Sequence, residues 1–376
     1  MEFIADWETW LLDEFRWLHA HPELANEEFQ TTNRLRENLT RLGITVLDVP
    51  LSTGLAARIG TGAPPHIALR ADIDALPVAE QTQLPYRSVY TDKMHACGHD
   101  FHTTAVLGAI YLLKAQEKNL RGTVTVIFQP AEENAEGAKK ILAAGALDAA
   151  TAIWGLHSSP LLDVGTVGIS AGAVTASVDR FGITFQGKSS HVAHPEKGTD
   201  PIIMAAQFIT AVHSVRGQNV DPANANLIGV THVKSGNTWN VMPATAWLEG
   251  TVRSFSPADR EKIKARIYEL AAGIAAAYGG QADVEWIVGP PPTANDEELA
   301  QIARQIASTE NLRVIPAPTS LIGEDFACYQ EKMRGMFVIV GTGKSAALHN
   351  PHFCVAPGAI IPTVKYLHKL CLTTLQ

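Results

Sequence analysis

The feature that most constrains the fold is an alternation of short β-branched runs with helical patterns in the first half of the chain. In order, these are HIALRAD, a helical stretch from about Thr103 to Lys118, GTVTVIFQP, a helical stretch around Ala138–Ala144, and AIWGLH. Strands that alternate with helices form βαβ units, which build a mainly parallel sheet. The sequence therefore predicts an α/β domain, and in such sheets ligands bind beyond the carboxyl ends of the strands.

The pattern changes between about Val178 and Val288. There the order is strand, helix, strand, strand, helix, strand, which is that of a ferredoxin-like unit. A chain of 376 residues also exceeds the roughly 250–300 residues that a single core supports. We therefore predict one domain of residues 1–177 and 289–376, interrupted by an inserted α+β domain of residues 178–288, with the Pro-rich turn at 290–292 marking the return.

Residue types that bind divalent metals recur just past the apolar runs, where a parallel sheet would bring them to one edge. They are Cys97 and His99, Glu132 and Glu133, His157, and His349, the last after the run MFVIVGTG. Such a set predicts a metal centre with a spare carboxylate that can handle protons. That is the outline of a metal-dependent hydrolase.

The residue types also suggest separate roles. A thiolate with imidazoles suits zinc, while the glutamates leave manganese, cobalt or nickel open. Neighbouring side chains at a strand end diverge, so we assign Glu133 to the metal and Glu132 to the general base. Asp72 and Asp74 follow the first strand and either orient ligand imidazoles or cap the turn before Pro77.

Each of these residues also has a plain structural interpretation. Cys97 and His99 would then be a buried, inert pair, and Glu132 and Glu133 a solvated acidic turn ahead of a helix. A lone histidine at a strand end is more often a hydrogen-bonded structural residue than a ligand. Convergence of four separated stretches on one sheet edge favours the metal site over these alternatives.

Composition limits the partners and the compartment. A formal net charge of −8, with Lys and Arg spread thinly, predicts neither a nucleic-acid partner nor a membrane partner. The amino terminus is acidic and amphipathic, unlike an export signal, and four cysteines without disulfide-type spacing favour the cytoplasm. GTGKS at 341–345 is not a phosphate-binding loop, because Val338 stands where that motif requires glycine.

Six long motifs then carry a resemblance that runs almost end to end. They are LRADIDALP, MHACGHDFHTT, FQPAEENAEGAKK, GKSSHVAHPEKGTDP, NVMPATAWLEGTVRSF and GEDFACYQ. The chain resembles the aminoacylase, hippurate hydrolase and plant indole-acetyl-amino-acid hydrolase family, in its bacterial N-acyl-amino-acid amidohydrolase branch. The resemblance implies a phosphorylase/hydrolase-like catalytic domain with two divalent metal ions on Cys97, His99, Glu133, His157 and His349.

The resemblance also implies roles for the inserted domain, as lid and as the surface of a homodimer. His191 in GKSSH resembles the residue that polarises the scissile carbonyl, in its own subunit or across the dimer. Asn240 and Arg253 match lid positions that hold substrate. Without the resemblance, His191 would be a loop histidine, Asn240 a turn residue and Arg253 a surface charge. Glu324 and Asp325 either line a pocket or cap a helix.

The expected function is hydrolysis of the amide bond of N-acyl-L-amino acids. Two alternatives stay open, a metallo-exopeptidase or dipeptidase and a catalytically silent metal-binding or ligand-binding protein. Two motifs depart from the family pattern, GKSSH in place of GKGGH and ALHNP in place of a double histidine before proline. The first departure can alter the loop, because serine visits positive φ less readily than glycine.

Overall fold

The computed structural model describes residues 4–376, which divide into two compact units. Unit 1 comprises the residues up to Gly172, Ala294–Pro318 and Asp325–Gln376, and unit 2 comprises Ala173–Thr293 and Thr319–Glu324. The predicted insertion, 178–288, lies within unit 2. The short segment Thr319–Glu324 of unit 2 had no counterpart in the predicted boundaries, because it comes from beyond the return to unit 1.

The α-helices are, in chain order, Trp7–Ala20 (α1), Phe29–Arg41 (α2), His99–Ala115 (α3), Gly137–Ala143 (α4), Pro201–Val212 (α5), Val215–Gln218 (α6), Pro257–Ala277 (α7), Glu297–Thr309 (α8), Ala327–Gln330 (α9) and Ile360–Thr374 (α10). Within the described residues, none of them is both long and apolar enough to cross a membrane.

The strands of unit 1 and of the boundaries between the units are Thr45–Val46 (β1), Leu55–Gly60 (β2), His66–Asp72 (β3), Thr123–Gln129 (β4), Ala152–Ser159 (β5), Thr166–Gly168 (β6), Gly172–Thr175 (β7), Thr293–Asn295 (β14), Arg313–Ile315 (β15) and Arg334–Gly341 (β16). Those of unit 2 are Ser177–Gln186 (β8), Ser190–His191 (β9), Asn226–Ser235 (β10), Val241–Met242 (β11), Thr245–Ser254 (β12) and Gln281–Val288 (β13).

Unit 1 is built on an eight-stranded sheet in the order β1-β2-β4-β3-β5-β16-β6-β15. Its centre is parallel, since β3 pairs in parallel with β4 and β5, and β5 with β16. Antiparallel pairs of β2 with β4 and of β16 with β6 make the whole sheet mixed. The predicted α/β class is thus confirmed, with parallel pairs at the centre and between β6 and β15 at one edge.

Both faces of this sheet are covered, which explains the continuous apolar runs of its central strands. The larger core lies on the side of α1, α3, α8 and α10, and a smaller one on the side of α4 and α9. In β3, Leu69 packs into the larger core and Ala68 into the smaller one, as the two-residue period of a strand requires. Every residue of β3, β4 and β5 is buried.

Unit 2 contains the predicted ferredoxin-like order of elements, β8-α5-β10-β12-α7-β13. Its antiparallel sheet has the order β10-β12-β8-β13. Alternate residues of β8, Phe181, Ile183 and Phe185, pack with Phe208 of α5 and Ile267 of α7 in a separate core. The helices therefore cover one face of the sheet, and β10 lies at one edge.

Candidate metal centre

The parallel strands of unit 1 end at one edge, and the predicted metal-binding residues lie there. Asp72 ends β3, Glu132 and Glu133 follow β4 after a short turn, and His157 lies near the end of β5. His349 follows β16 by eight residues, and its backbone N–H donates to Ala96 O at 2.8 Å. This contact brings the C-terminal segment alongside the start of α3.

Cys97 and His99 are placed by a sharp turn at Gly98. Gly98 has φ +86°, and a Cβ added there would lie 2.6 Å from Ser158 Oγ, so glycine is required both by conformation and by space. This left-handed turn starts α3 at His99, four residues earlier than the helical pattern predicted. Cys97 and His99 then stand on either side of the turn, both buried.

Two of the predicted ligand histidines, His99 and His157, are buried and bond a backbone carbonyl through Nδ1. His99 Nδ1 donates to Asp74 O at 2.9 Å and His157 Nδ1 donates to Ser158 O at 2.8 Å. A carbonyl oxygen can only accept, so in each neutral ring the proton is on Nδ1 and the lone pair on Nε2. That is the tautomer in which a histidine offers Nε2 to a metal.

The ligand atoms of the six predicted residues approach one another closely. His157 Nε2 lies 3.5 Å from Cys97 Sγ, and Glu133 Oε1 lies 3.9 Å from His99 Nε2 and 3.6 Å from His349 Nε2. The carboxylate of Glu132 is within 4.8 Å of the ligand atoms of both His99 and Glu133. Spacings of this size leave room for a cation between the atoms.

These residues fit a divalent cation by two physical criteria. His99 Nε2 and Glu133 Oε1 are buried without a hydrogen-bond partner among the described residues, an arrangement that native proteins rarely leave uncompensated. In addition, burial raises the pKa of Glu133 to about 7 and raises the pKa of the Cys97 thiol well above its ordinary value. A bound cation would reverse both shifts by favouring the anions.

Asp74 contacts two parts of this centre. Its Oδ1 lies 3.2 Å from His99 Nδ1, and its Oδ2 accepts from the backbone N–H of Glu133 at 3.0 Å. Asp72 Oδ2 lies 3.6 Å from His99 Nε2. Asp72 thus lies beside the space between the ligand atoms, whereas Asp74 contacts the far side of the His99 ring.

His102 is a member of this region that the sequence interpretation missed. Its Nδ1 donates to Asp72 Oδ1 at 2.6 Å, and its Nε2 accepts from Ser158 N at 2.8 Å. With both ring nitrogens engaged, His102 supports the backbone next to His157 and offers no lone pair to a metal. The spacing His99 to His102 on one helix face was the available signal.

A buried ionic network lies behind Asp72 and was also missed. Arg70, fully buried, donates to Asp72 at 2.8 Å, to Asp325 at 2.9 Å and to Gln129 at 2.9 Å. Asp325 in turn accepts from the backbone N–H of Ala138, at the start of α4. Asp325 therefore belongs to the support of the sheet edge, and the GEDF motif gave no local sign of its partner 255 residues away.

The residues assigned to substrate by resemblance, His191, Asn240 and Arg253, all lie in unit 2. His191 is exposed on β9, opposite Val241 of β11, and its Nδ1 accepts from Ala193 N at 3.1 Å. Asn240 Oδ1 accepts from the Thr238 hydroxyl at 3.2 Å. Arg253 is half-buried on β12, and no carboxylate in residues 4–376 forms an ion pair with it.

The serines of GKSSH require no unusual backbone. Neither Ser189 nor Ser190 has a positive φ, and the Ser189 hydroxyl donates to Met242 O at 2.8 Å. The left-handed conformation that would favour glycine is therefore absent at both positions. This departure from the family pattern carries no backbone strain.

Comparison with known proteins identifies the family of the chain. The family model for Peptidase family M20/M25/M40 matches residues 68–373. An N-acetyl-L-cysteine deacetylase of Bacillus subtilis (strain 168) is 44% identical over 355 residues, which cover 94% of this chain and 85% of that protein. The IAA-amino acid hydrolase ILR1-like 5 of Arabidopsis thaliana is 35% identical over 358 residues, covering 92% of this chain and 82% of that protein.

Among solved structures, the YXEP protein of Bacillus subtilis, described as a dinuclear metal binding peptidase from the M20 family, has a TM-score of 0.90. It is 41% identical, and the match covers 99% of each chain. The resemblance inferred from the six motifs is therefore confirmed. The chain belongs to peptidase family M20/M25/M40, in the aminoacylase and hippurate hydrolase group, and is a metal-dependent amidohydrolase.

Proposed function

We propose that this chain hydrolyses the amide bond of N-acyl-L-amino acids and releases a carboxylic acid and a free amino acid. The observation that carries the proposal is the approach of Glu132 to within 4.8 Å of the ligand atoms of His99 and Glu133. A protein that only bound metal would have no chemical need for a carboxylate beside a complete ligand set. Relatives named as a deacetylase and an amino acid hydrolase support the same substrate class.

In this proposal Cys97, His99, Glu133, His157 and His349 hold two divalent ions, of zinc, manganese, cobalt or nickel. When bound, such ions polarise a carbonyl and make water a better nucleophile at neutral pH. The three imidazoles suit this role: in the neutral rings of His99 and His157 the lone pair is on Nε2, and burial lowers the pKa of His349, which favours its neutral form.

Glu132 acts as the general base and then as the general acid. Its carboxylate takes a proton from the attacking water, whose oxygen forms a bond to the acyl carbon. When the carbon–nitrogen bond breaks, the same carboxyl returns the proton to the departing amine. Asp74 serves this chemistry indirectly, because it holds the His99 ring and the Glu133 backbone at once.

The assignments in unit 2 rest on the resemblance. His191 polarises the scissile carbonyl, and Asn240 and Arg253 bind the carboxylate of the amino acid. Unit 2 acts as lid and joins two subunits into a homodimer. The edge strand β10, whose last residues, from His232 to Ser235, are exposed and paired on one side only, supports such an association.

We also propose that the enzyme works in the cytoplasm. All four cysteines, Cys97, Cys328, Cys354 and Cys371, are free, and a proposed ligand role for Cys97 requires a reduced thiol. Mass measurement in solution tests the dimer, with a single species of twice the chain mass as the expected result.

A substrate panel tests the proposed function. Metal-stripped protein is reconstituted with zinc, manganese, cobalt or nickel in turn and assayed on N-acetyl and N-benzoyl amino acids and on dipeptides. We expect the N-acyl amino acids to be hydrolysed faster than the dipeptides with at least one of these ions. Faster hydrolysis of dipeptides would identify an exopeptidase instead, and bound metal without any hydrolysis would indicate a silent binding protein.

A further inference from the structure

The turn that carries Glu132 and Glu133 has an unusual backbone. Ala131, directly before it, has φ +52°, and Ala135, at its end, has φ +55°. Residues with a Cβ seldom adopt this left-handed conformation, and they keep it only where the surrounding structure fixes them. The question is therefore which contacts fix Ala131 and, with it, the two glutamates.

Three buried carboxylates hold the backbone of this segment, each from a different part of unit 1. Glu28 Oε1 accepts from Ala131 N at 2.8 Å, Asp74 Oδ2 from Glu133 N at 3.0 Å, and Asp325 Oδ2 from Ala138 N at 2.9 Å. Asp74 also contacts His99, and Asp325 also pairs with Arg70. Within residues 4–376, Glu28 forms no ion pair, and its hydrogen bonds are to backbone N–H groups and to Thr53.

Burial of the Glu28 carboxylate is unfavourable for the free energy of folding. Its side chain is fully buried, and no Lys, Arg or His within residues 4–376 forms an ion pair with it. Oε1 accepts a second backbone N–H, that of Asn26 at 3.0 Å, and Asn26 also has a positive φ of +70°. A buried carboxylate without a counter-ion is poor for stability, so its contact with Ala131 calls for another explanation.

The Ala131 carbonyl closes the turn from the other side. It accepts from Glu136 N at 3.2 Å and Gly137 N at 3.1 Å, and a Cβ at Gly137 would lie 1.7 Å from Pro130 O. The turn therefore has little room to adjust within itself. A rotation at Ala131 would carry both Glu132 and Glu133 away from His99.

We propose that Glu28 is a positioning residue whose carboxylate holds Ala131 in the left-handed conformation and so sets the directions of Glu132 and Glu133 before metal or substrate binds. The inference rests on the proposed function only for the roles of Glu132 and Glu133. The contact itself belongs to the metal-free protein, where it can be tested without activity.

Three substitutions separate the geometry of Glu28 from its charge. E28Q keeps an oxygen that can accept from Ala131 N but loses the charge, whereas E28D keeps the charge but is one methylene too short. E28A removes both. The matched control is E23A, because Glu23 is also buried and accepts from Gln30 N and Thr31 N at the start of α2, without contact to the turn.

The first measurement is hydrogen–deuterium exchange of metal-free protein in peptides covering 129–138. Loss of one net hydrogen bond should speed exchange there about tenfold in E28A and E28D, while E28Q stays within about threefold of wild type. E23A should speed exchange at the start of α2 and leave 129–138 unchanged. Unchanged exchange of 129–138 in both E28A and E28D, or equal acceleration there by E23A, would overturn the proposal.

The second measurement is the split between kcat and KM for an N-acyl amino acid in metal-loaded protein. Misplacement of Glu132 should lower kcat about 10- to 100-fold in E28D and E28A with little change in KM, and E28Q should restore most of kcat. If no variant and no wild-type protein hydrolyses any substrate, the proposed function fails while the exchange result still decides the role of Glu28. If E28A does not fold, the comparison of E28D with E28Q serves for both measurements.

Discussion

The polar residues assigned to function lie in very different surroundings in the two units. In unit 1, His99, Asp72 and Asp74 are buried and hydrogen-bonded, and their positions are fixed before any ligand arrives. In unit 2, His191 is exposed, and among residues 4–376 its ring forms a hydrogen bond through Nδ1 alone, to Ala193 N. The residues of unit 1 are therefore preorganised by their hydrogen bonds, whereas few contacts within unit 2 fix the ring of His191.

The largest effect should follow from removing the base in unit 1. Glu132→Gln should lower kcat by about 10³-fold, within the range typical of general acid–base catalysis, because the amide cannot take a proton from water. Metal content should stay that of the wild type, since the five proposed ligands remain. Turnover measured beside metal analysis checks this, and unchanged turnover would reject the assigned mechanism.

The next effect is a pH dependence of the stability of unit 1, which arises from His19. Burial alone would lower the pKa of His19, but hydrogen bonds to Asp100 and Glu80 and their charges outweigh it and raise the pKa to about 9. The folded state therefore binds the proton more tightly than the unfolded state, so this stabilisation is complete below about pH 6.5 and is lost as pH rises through about 9. The upper limit is roughly 3 kcal/mol.

Hydrogen exchange of metal-free protein at pH 6.5 and pH 9, corrected for intrinsic rates, measures this effect. Unit 1 peptides around α1 should lose protection, whereas peptides of unit 2, which does not contain His19, should change little. His19→Gln should reduce the difference in protection between pH 6.5 and pH 9 in unit 1. Equal loss of protection in both units would show that His19 is not its source.

Sequence patterns predicted those features that depend on local periodicity. The residues at the ends of β3, β4 and β5 were placed correctly, because alternation and length identify a buried strand and parallel strands share an edge. Contacts between residues that lie far apart in the sequence leave no such periodic pattern. Glu28 lies 103 residues from Ala131, so neither the pairing nor the left-handed backbone at an alanine could be inferred from neighbours in the sequence.

The sequence also did not predict which strands pair in parallel and which pair antiparallel. The runs LAARIG and TVG are apolar and short, and their composition is the same whether a strand pairs in parallel or antiparallel. The connections decide the direction, and those connections have no periodic pattern. The mixed edges of the unit 1 sheet were therefore not predicted, although its parallel centre was.

A smaller effect is expected from unit 2. His191→Ala should lower kcat about 10²-fold, as loss of one donor to a developing oxyanion does, and leave the metal content unchanged. Mixed dimers of the Glu132→Gln and His191→Ala variants should recover part of the activity if His191 serves the partner's site. With subunit exchange verified, no recovery would place His191 in its own subunit's site or outside catalysis.

The smallest effect is the stabilisation of unit 1 by metal. An ion at about ten times its Kd should stabilise the folded state by about 1.4 kcal/mol, since it binds only the folded arrangement. Metal binding should slow the exchange of peptides that contain Cys97, His99 and Glu133. The exchange of β8 and β12 in unit 2 should stay unchanged. Cys97→Ser gives the control, because a hydroxyl is a weaker ligand for zinc than a thiolate.

We propose that five side chains from four separated stretches of unit 1 hold a pair of metal ions. Anomalous diffraction from crystals soaked in zinc or manganese tests it most directly. We predict two ions roughly 3.5–4 Å apart, bonded to Cys97, His99, Glu133, His157 and His349 at about 2.0–2.3 Å. Ions bound elsewhere, or these five side chains without an ion among them, would contradict the account.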